Sequence, residues 1–394
     1  MPPTMMDELL FDDILYGPGA RQEHDRFIGV LRKLGVEVFD FQELLAEALT
    51  AGDDERVALL EGVRQLDGVE REVITELESL PSDRLASALV QGVRGEKPYR
   101  SSERLFLMPP IPNLLFSRDA QVVMADGVLI SGMRRSARRR ESLLSRFIFH
   151  HHPEFEDAPV FADFGAESEK STAESTLEGG DVLVFDEGVV IVGVSERTME
   201  PAVNRLVARL REIKVFKTLI MVPMPRMRSA MHLDTIFTQI SEDQCLVYAP
   251  MILQGASETL SVIRIDLRKS DDWGVRCPSL LAALADVGLH LEPVSCGGED
   301  DYIQQTREQW TDGANSFAIR PGVVMIYARN SATAQELDQR GYHVISADEM
   351  EFTQDGQCLY DFVDGKRYAI LVAGHELSRA RGGPRCMTMP LVRE

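Results

Sequence analysis

The chain has 394 residues, of which 44% are hydrophobic and 27% are charged, a composition typical of a globular protein with a buried core. Its 63 acidic and 42 basic side chains give a formal net charge of −21, which argues against a broad nucleic-acid-binding surface. No apolar run approaches the roughly 20 residues of a membrane-spanning helix, and the first residues lack the pattern of a secretory signal. We therefore expect a cytoplasmic protein without nucleic-acid or membrane partners.

The five cysteines are widely scattered and form no Cys-x-x-Cys pair. This spacing favours neither a disulfide framework nor a structural zinc site. We therefore expect reduced thiols, of which at most one or two have a chemical role. The cysteines are Cys245, Cys277, Cys296, Cys358 and Cys386.

The first distinctive region along the chain is 41–97, which has several helical patterns and no strand pattern. Within it, Pro81-Ser82-Asp83 predicts the cap of a helix that begins at Arg84. We interpret 41–97 as a helical subdomain inserted into a larger domain that consists of residues 1–40 and 98–394.

Four β-hairpins are predicted after this region, at 121–130, 182–192, 235–248 and 316–327. In the first of them, Asp126-Gly127 supplies the positive φ angles that tight hairpin turns require. The second, third and fourth hairpins are each followed by a helical stretch and then by another short apolar strand. The repeated unit is therefore strand, strand, helix, strand.

Such a unit predicts an α/β fold, because one small sheet cannot bury both of its faces alone. Several modules arranged around an axis would bury these faces against one another. A single α/β sheet with hairpin excursions is the alternative. Residues 349–374 contain two further Asp-Gly turn signals, and we interpret them as an extra hairpin around 357–363.

Two polar motifs precede the first two hairpins. Asn113, Phe116 and Asp119 place an amide, an aromatic ring and a carboxylate just before a strand, although an Asx turn would have the same composition. Glu178-Gly179-Gly180-Asp181 places two carboxylates across a glycine pair. Two glycines permit close approach of a ligand to the backbone, and a plain glycine bulge is the structural alternative.

Two further motifs supply an imidazole and a thiol. His232 and Asp234 stand two residues apart at the start of a predicted strand, which would put an acid/base group beside a charge-binding carboxylate on one face. A buried structural histidine is the alternative. Cys386 ends a basic, glycine-rich loop, and nearby arginines stabilise a thiolate. An inert, buried cysteine is the alternative there.

Taken together, the four motifs indicate a site for a cationic, electrophilic carbon, because they combine a thiol, an imidazole and several carboxylates. A guanidinium group has these properties. Its planar fork pairs with carboxylates in bidentate fashion while a thiolate attacks the central carbon.

In these motifs the chain resembles the arginine deiminases of the guanidino-group modifying superfamily, from Asp7 nearly to its end. The resemblance implies the pentein fold, a five-module α/β propeller with a helical insertion. The usual opening strand is missing before Asp7, so the first module is expected to be truncated at its N-terminus. The motifs that carry the resemblance lie at 7–13, 112–119, 137–141, 178–181, 195–197, 231–235, 307–315 and 381–387.

The resemblance implies catalytic roles for five residues. Cys386 would be the nucleophile that forms a covalent amidino-thioether and expels ammonia. His232 would pass protons to the leaving amine and activate the hydrolytic water, and Glu178 would share that proton transfer. Asp119 and Asp234 would hold the guanidinium group.

Five more residues match substrate-binding positions. Phe116 would pack beside the aliphatic stem of the substrate, and Asn113, Arg138 and Arg197 would hold its amino-acid end. Arg381 lies in the gating loop beside the nucleophile. Outside this set, Asp181 is interpreted as a supporting residue, Trp310 as packing, and Asn315 as lining the entrance.

The predicted activity is hydrolytic deimination of L-arginine to L-citrulline and ammonia, with arginine and water as partners. No cofactor and no metal are expected, because the substrate is itself an electrophile. The alternatives are an amidinotransferase or hydrolase of another guanidino compound, and a catalytically idle arginine-binding protein. A cysteine protease is disfavoured, because Asp119 and Asp234 would place negative charge near a neutral peptide carbonyl. The resemblance also implies that the protein can assemble into a homo-oligomer.

Overall fold

The computed structural model describes residues 3–95, 105–166, 175–185, 188–350, 360 and 362–392. In chain order, the helices of these residues are α1 Gly17–Lys33, α2 Phe41–Ala48, α3 Asp53–Asp67, α4 Arg71–Glu78, α5 Ser82–Gln91, α6 Arg139–His151, α7 Glu200–Ile213, α8 Ala249–Ile252, α9 Leu280–Ala285, α10 Tyr302–Trp310 and α11 Ser331–Gln339. The strands are β1 Val93–Arg94, β2 Phe106–Met108, β3 Gln121–Met124, β4 Gly127–Ile130, β5 Val160–Asp163, β6 Val182–Phe185, β7 Val189–Val194, β8 Thr218–Pro223, β9 Phe237–Gln239, β10 Gln244–Val247, β11 Val262–Asp266, β12 Val275–Cys277, β13 Glu292–Ser295, β14 Phe317–Arg320, β15 Val323–Tyr327, β16 Tyr342–Ser346 and β17 Arg367–Val372. This is a mixed α/β fold.

The chain divides into two compact units. The larger unit consists of Met1–Val38, Gly180–Thr198 and Val203–Thr388. The smaller unit consists of Phe39–Gly179, Met199–Ala202 and Met389–Glu394. None of the helices that the structure describes is long and apolar enough to cross a membrane.

In the smaller unit, two helices of region 41–97 have clear capping residues, α2 at its start and α3 at its end. The side chain of Asp40 accepts hydrogen bonds from the backbone N–H groups of Gln42 and Glu43 and so caps α2. Helix α3 ends at Gly68, whose φ of 61° is left-handed. The predicted cap at Pro81-Ser82-Asp83 is wrong in detail: α5 begins at Ser82, and Pro81 stands before it without a side-chain cap.

These helices share one hydrophobic core with the first hairpin. Buried leucines of the helices pack with Val128 and Ile130 of β4 and with Leu144 of α6. Near the end of the chain, Met389 and Leu391 pack against the same core. The short strand β1 was not predicted from the helical patterns of 41–97, and it pairs antiparallel with β2.

The four predicted hairpins are confirmed as the antiparallel pairs β3–β4, β6–β7, β9–β10 and β14–β15. Three of them receive a parallel third strand after an intervening helix, in the pairs β4–β5, β7–β8 and β10–β13. The strand, strand, helix, strand unit is therefore present. Between the third hairpin and α9, the chain also forms β11 and β12, which the sequence analysis missed and which extend the sheet of β8.

The fourth hairpin departs from the expected order. Strand β16 was predicted to follow it, but β17 lies between β15 and β16 and pairs parallel with both. The central place suits β17, because its apolar residues are buried and a central parallel strand is covered on both faces. The predicted extra hairpin around 357–363 lies largely outside the described residues.

The N-terminal residues 3–40 are all described, and they form α1 but no strand. Helix α1 packs against β17 and against the short 3₁₀ helix Leu377–Ala380. Both partners belong to the larger unit, in which Leu377–Ala380 precedes the loop of Cys386.

Candidate active site

None of the ten predicted site residues lies in a strand: Asn113, Arg138 and Asp234 lie inside short 3₁₀ helices, and several others flank such helices. His232 has an extended backbone with φ −135°, and Asp234 lies within the turn Leu233–Thr235, ahead of β9. The prediction that both residues share one face of a strand is therefore wrong. The 3₁₀ helices concerned are Pro112–Leu115, Ser136–Arg138, Gly179–Asp181, Leu233–Thr235 and Leu377–Ala380.

Cys386 is buried in the larger unit, with 4% of its surface exposed. Its Sγ atom lies 3.7 Å from Oδ2 of Asp234. Its backbone N–H donates to Oδ1 of Asn315 at 3.0 Å. The structure therefore brings the predicted nucleophile together with one of the two predicted guanidinium-binding carboxylates.

Asn315 connects these two residues. Its Nδ2 donates to the backbone carbonyl of Asp234 at 3.1 Å, while its Oδ1 accepts from Cys386. Asn315 is fully buried, so the prediction that it lines the entrance is wrong. Gly383 passes so close to Asn315 that a Cβ there would lie 2.5 Å from the backbone oxygen of Asn315. A glycine is therefore required at this point of residues 381–387, which carry Cys386 and are called the nucleophile loop below.

Arg385 is a site residue that the sequence analysis missed. Its Nη1 lies 2.5 Å from Oδ2 of Asp234 in a buried ion pair, and its Nη2 donates to the carbonyl of Val182 at 3.2 Å. Among the atoms that the structure describes, Oδ1 of Asp234 is buried and has no hydrogen-bond partner. The signal in the sequence was a second arginine directly before the cysteine.

His232 is buried next to a supporting carboxylate. Asp181 accepts hydrogen bonds from the backbone N–H of Leu233 at 2.9 Å and from Oγ of Ser195 at 2.7 Å. Burial raises the pKa of Asp181 to about 7, and the positive charge available at His232 opposes this rise. Asp181 thus fixes the turn that carries His232, in agreement with its interpretation as a supporting residue.

Arg381 lies in the left-handed region, with φ 67°, at the start of the nucleophile loop. Its guanidinium carbon lies 3.6 Å from the ring centre of Trp310, which is a cation–π contact. Its Nη2 donates to the carbonyl of Arg228 at 3.3 Å. Burial raises the pKa of the nearby Asp312 to about 7, although the positive charge of Arg381 lowers this pKa.

Arg197 is also buried in the larger unit. Its Nε donates to Oε1 of Glu196 at 3.0 Å, and its backbone N–H donates to Oγ of Ser195 at 3.0 Å. Because Ser195 also bonds Asp181, one hydroxyl links the segment of Arg197 to the support of His232.

The smaller unit holds a second buried cluster of charges around Arg138. The guanidinium group donates to Oδ2 of Asp119 at 2.6 Å, to Oε2 of Glu141 at 2.7 Å and to the carbonyl of Asn113 at 3.2 Å. Burial raises the pKa of Glu141 to about 7, although Arg138 lowers it. Arg138 is therefore the counter-ion of Asp119 in this structure, and the sequence analysis did not foresee this pairing or the role of Glu141 in it.

Glu178 is fully buried in the same unit, and its Oε1 accepts from the backbone N–H of Arg134 at 2.9 Å. The next residue, Gly179, donates its N–H to the carbonyl of Asp119 at 3.0 Å. A Cβ at Gly179 would collide with the carbonyl of Arg118. The glycine pair thus permits a close approach of two backbone segments within a 3₁₀ turn, and it does not form the strand bulge considered as an alternative.

Phe116 and Asn113 are both buried in the smaller unit. Each unit therefore carries half of the predicted set: thiol, imidazole and one carboxylate in the larger unit, two carboxylates with an aromatic ring and an amide in the smaller one. A thiol and an imidazole supply a nucleophile and a proton carrier, and buried carboxylates bind a cation.

Comparison with known proteins identifies this chemistry as that of an enzyme class acting on guanidino groups. The family model "Arginine deiminase" matches residues 7–358 and 361–393. The arginine deiminase of Staphylococcus aureus (strain JH9) is 34% identical over 414 residues, covering 100% of this chain and 92% of that protein. The arginine deiminase of Staphylococcus haemolyticus (strain JCSC1435) is 35% identical over 411 residues with the same coverage. The chain therefore belongs to the arginine deiminase family, which confirms the predicted resemblance.

Solved structures resemble the chain more distantly. Unliganded AgrE matches with a TM-score of 0.44 and 14% identity over 72% of this chain and 32% of that one. A dimethylarginine dimethylaminohydrolase variant, as an adduct with S-methyl-L-thiocitrulline, matches with a TM-score of 0.43 and 14% identity over 77% of this chain and 94% of that one.

Proposed function

We propose that the protein hydrolyses L-arginine to L-citrulline and ammonia through a covalent amidino intermediate on Cys386. The observation that carries this proposal is the buried thiol of Cys386, 3.7 Å from a carboxylate oxygen of Asp234, in a chain of the arginine deiminase family. Family membership confirms the predicted class of guanidino-group hydrolase. The roles of the individual residues are our proposals.

Binding of the guanidinium group depends on buried carboxylates. Asp234 offers Oδ1, which is buried without a partner among the described residues and is therefore ready to accept from a planar N–H donor. Asp119 of the smaller unit is proposed to hold the same group. Burial strengthens both interactions, because water does not compete for the donors.

In the first chemical step, the thiolate of Cys386 attacks the central guanidinium carbon and a carbon–sulfur bond forms. A carbon–nitrogen bond then breaks, and the terminal nitrogen leaves as ammonia after His232 has passed a proton to it. In the second step, water loses a proton to His232 or Glu178 and attacks the same carbon. The carbon–sulfur bond breaks, and citrulline and the thiolate are released. Arginine and water are thereby converted to citrulline and ammonia.

The amino-acid end of the substrate is proposed to contact Arg138, Arg197, Asn113 and Arg381, and Phe116 to pack beside the stem. Arg138 and Arg197 already have carboxylate partners within their own units, in Asp119 and Glu196. An arriving carboxylate would therefore add to existing charge networks, in which arginine can serve several acceptors from its five N–H groups.

The finer architecture also belongs to this proposal. We retain the five-module propeller made of residues 1–40 and 98–394, with 41–97 as its helical insertion and a truncated first module. The repeated strand, strand, helix, strand units support it. A cytoplasmic location, the absence of a cofactor and assembly into a homo-oligomer stay predictions.

The decisive experiment incubates purified protein with L-arginine and quantifies citrulline and ammonia. We expect equal amounts of both products, loss of turnover in Cys386→Ser, and unchanged turnover in the control Cys277→Ser, which alters another buried cysteine. A haloacetamidine should label Cys386, and arginine should protect it. Turnover that survives in Cys386→Ser, or ammonia without citrulline, would contradict the proposal.

A further inference from the structure

The N-terminal segment 10–23 contains part of a motif that carries the family resemblance, yet none of the proposed chemical steps uses it. It precedes and begins α1, contains no strand, and lies in the larger unit together with the nucleophile loop. Its acidic side chains have specific partners there. Three sets of hydrogen bonds and ion pairs join the segment to residues that precede or contact the nucleophile loop.

The first set joins Glu23 to the segment that leads into the nucleophile loop. Its two carboxylate oxygens accept hydrogen bonds from the backbone N–H groups of His375, Glu376 and Leu377, at distances of 2.9 to 3.2 Å. These three consecutive donors precede or open the 3₁₀ helix Leu377–Ala380, where no intrahelical acceptor is available to them. A single carboxylate from α1 thus fixes the backbone of 375–377, just before the 3₁₀ helix that leads into the loop.

The second set joins Asp13 to Arg379. Oδ2 of Asp13 accepts from Nε at 3.0 Å and from Nη2 at 2.7 Å. Arg379 also donates to Oε1 of Glu376 at 3.2 Å, and the other oxygen of Glu376 accepts from the backbone N–H of Tyr16 at 2.8 Å. Arg379 stands two positions before Arg381, so this pair restrains the segment that leads into the left-handed residue.

The third set reaches Arg381 from the other side. Arg228 donates through Nη2 to the carbonyl of Leu10 at 2.7 Å, and through Nε and Nη2 to Oδ2 of Asp12 at 3.1 and 3.0 Å. The carbonyl of Arg228 accepts from Nη2 of Arg381 at 3.3 Å. The N-terminal segment therefore holds both the chain before Arg381 and the acceptor of its guanidinium group.

We propose that residues 10–23 form a brace that positions the nucleophile loop, with Glu23 and Asp13 as positioning residues of the reaction. The proposal rests on the function proposed above, since it assigns the brace to the loop of Cys386. The brace acts through the backbone of 375–377 and through Arg379, and it does not touch the substrate. Of the two positioning residues, Glu23 lies in α1 and Asp13 lies in the segment that precedes α1.

The test uses the full chain with Glu23→Ala, Asp13→Asn, and the charge exchange Asp13→Arg with Arg379→Asp. Asp25→Asn is the matched control, since Asp25 lies exposed on the same helix. Two readouts are taken: kcat/KM for arginine, and the rate at which iodoacetamide alkylates Cys386 in the substrate-free protein, followed by mass spectrometry of that peptide.

We expect Glu23→Ala and Asp13→Asn to lower kcat/KM roughly ten-fold, because a nucleophile displaced by a fraction of an ångström reacts more slowly. Alkylation of Cys386 should accelerate, since a loosened loop exposes the thiol. The charge exchange should recover both values, which a purely structural effect of either substitution would not do. If the brace variants match Asp25→Asn in both readouts, or if the exchange recovers neither, the brace is refuted.

The two proposals fail in different ways. A wild-type protein that makes no citrulline overturns the proposed activity, while the alkylation rates still decide whether segment 10–23 restrains the loop. The pair of Asp13 and Arg379 is partly exposed, so its exchange leaves the core intact even where Glu23→Ala fails to fold.

Discussion

Replacing Asn315 by alanine should separate the position of the nucleophile from the rest of the fold. The substitution removes two buried hydrogen bonds of the Asn315 side chain, one from the N–H of Cys386 and one to the carbonyl of Asp234. Removing one partner of a buried hydrogen bond costs about 1–3 kcal/mol, so for two bonds the free energy of unfolding should fall by roughly 2–6 kcal/mol. The turnover number should fall by about 100-fold or more, because a shift of the attacking atom by about 1 Å has an effect of that size.

The matched control is Asn330→Ala. Asn330 is equally buried, and its side chain also makes two hydrogen bonds, both to Thr311. Both variants should unfold at lower urea concentration than the wild type, while only Asn315→Ala should lose citrulline production. The reasoning is refuted if the two variants have the same kcat, because loss of stability alone would then explain the behaviour of Asn315→Ala.

Three further predictions concern the same unit. Arg385→Gln leaves Asp234 buried without its partner, so L-arginine, which replaces the missing cation, should raise Tm more in this variant than in the wild type; equal shifts would contradict this. Burial raises the pKa of Asp312 in the folded protein to about 7, against an ordinary 3.8. Its negative charge therefore destabilises the fold, and this destabilisation is absent below pH 3.8, grows as the pH rises, and is complete above pH 7. Asp312→Asn should therefore gain Tm over the wild type progressively from pH 4 to pH 7, and a constant difference would show that Asp312 does not titrate as described. Gly383→Ala should lower kcat/KM about ten-fold or more, because its Cβ would push the loop away from Asn315; unchanged kinetics would show that the loop adapts without cost.

Local signals in the sequence were sufficient to predict the four hairpins. The predicted turn at Asp126-Gly127 is displaced by one residue, because Gly127 pairs with Met124 and the positive φ lies at Ala125, whereas the left-handed Gly322 lies in the turn of the fourth hairpin as its residue type indicates. The place of β17 between β15 and β16 depends instead on pairing between distant segments, for which no turn signal exists. Strand β11 was missed because Arg264 and Asp266 interrupt its apolar pattern.

The same distinction applies to the site. Residue types and the family resemblance indicated Cys386 and Asp234, which the structure places 3.7 Å apart. The hydrogen bond of Asn315 to Cys386 spans 71 positions, and the ion pair of Arg385 with Asp234 spans 151. Contacts over such separations follow from the packing of the whole unit, and the composition of a short motif does not encode them.

The return of the C-terminal residues to the smaller unit has a consequence for biosynthesis. That unit starts at Phe39, yet Met389 and Leu391, which cover part of its core, are synthesised after all its other segments. Its helices can form early on the ribosome, but their apolar surface stays incompletely covered until Met389 and Leu391 have been synthesised. An affinity tag or a deletion placed after Thr388 therefore bears directly on the yield of correctly folded protein, whereas the same change at the exposed end of a surface loop would not.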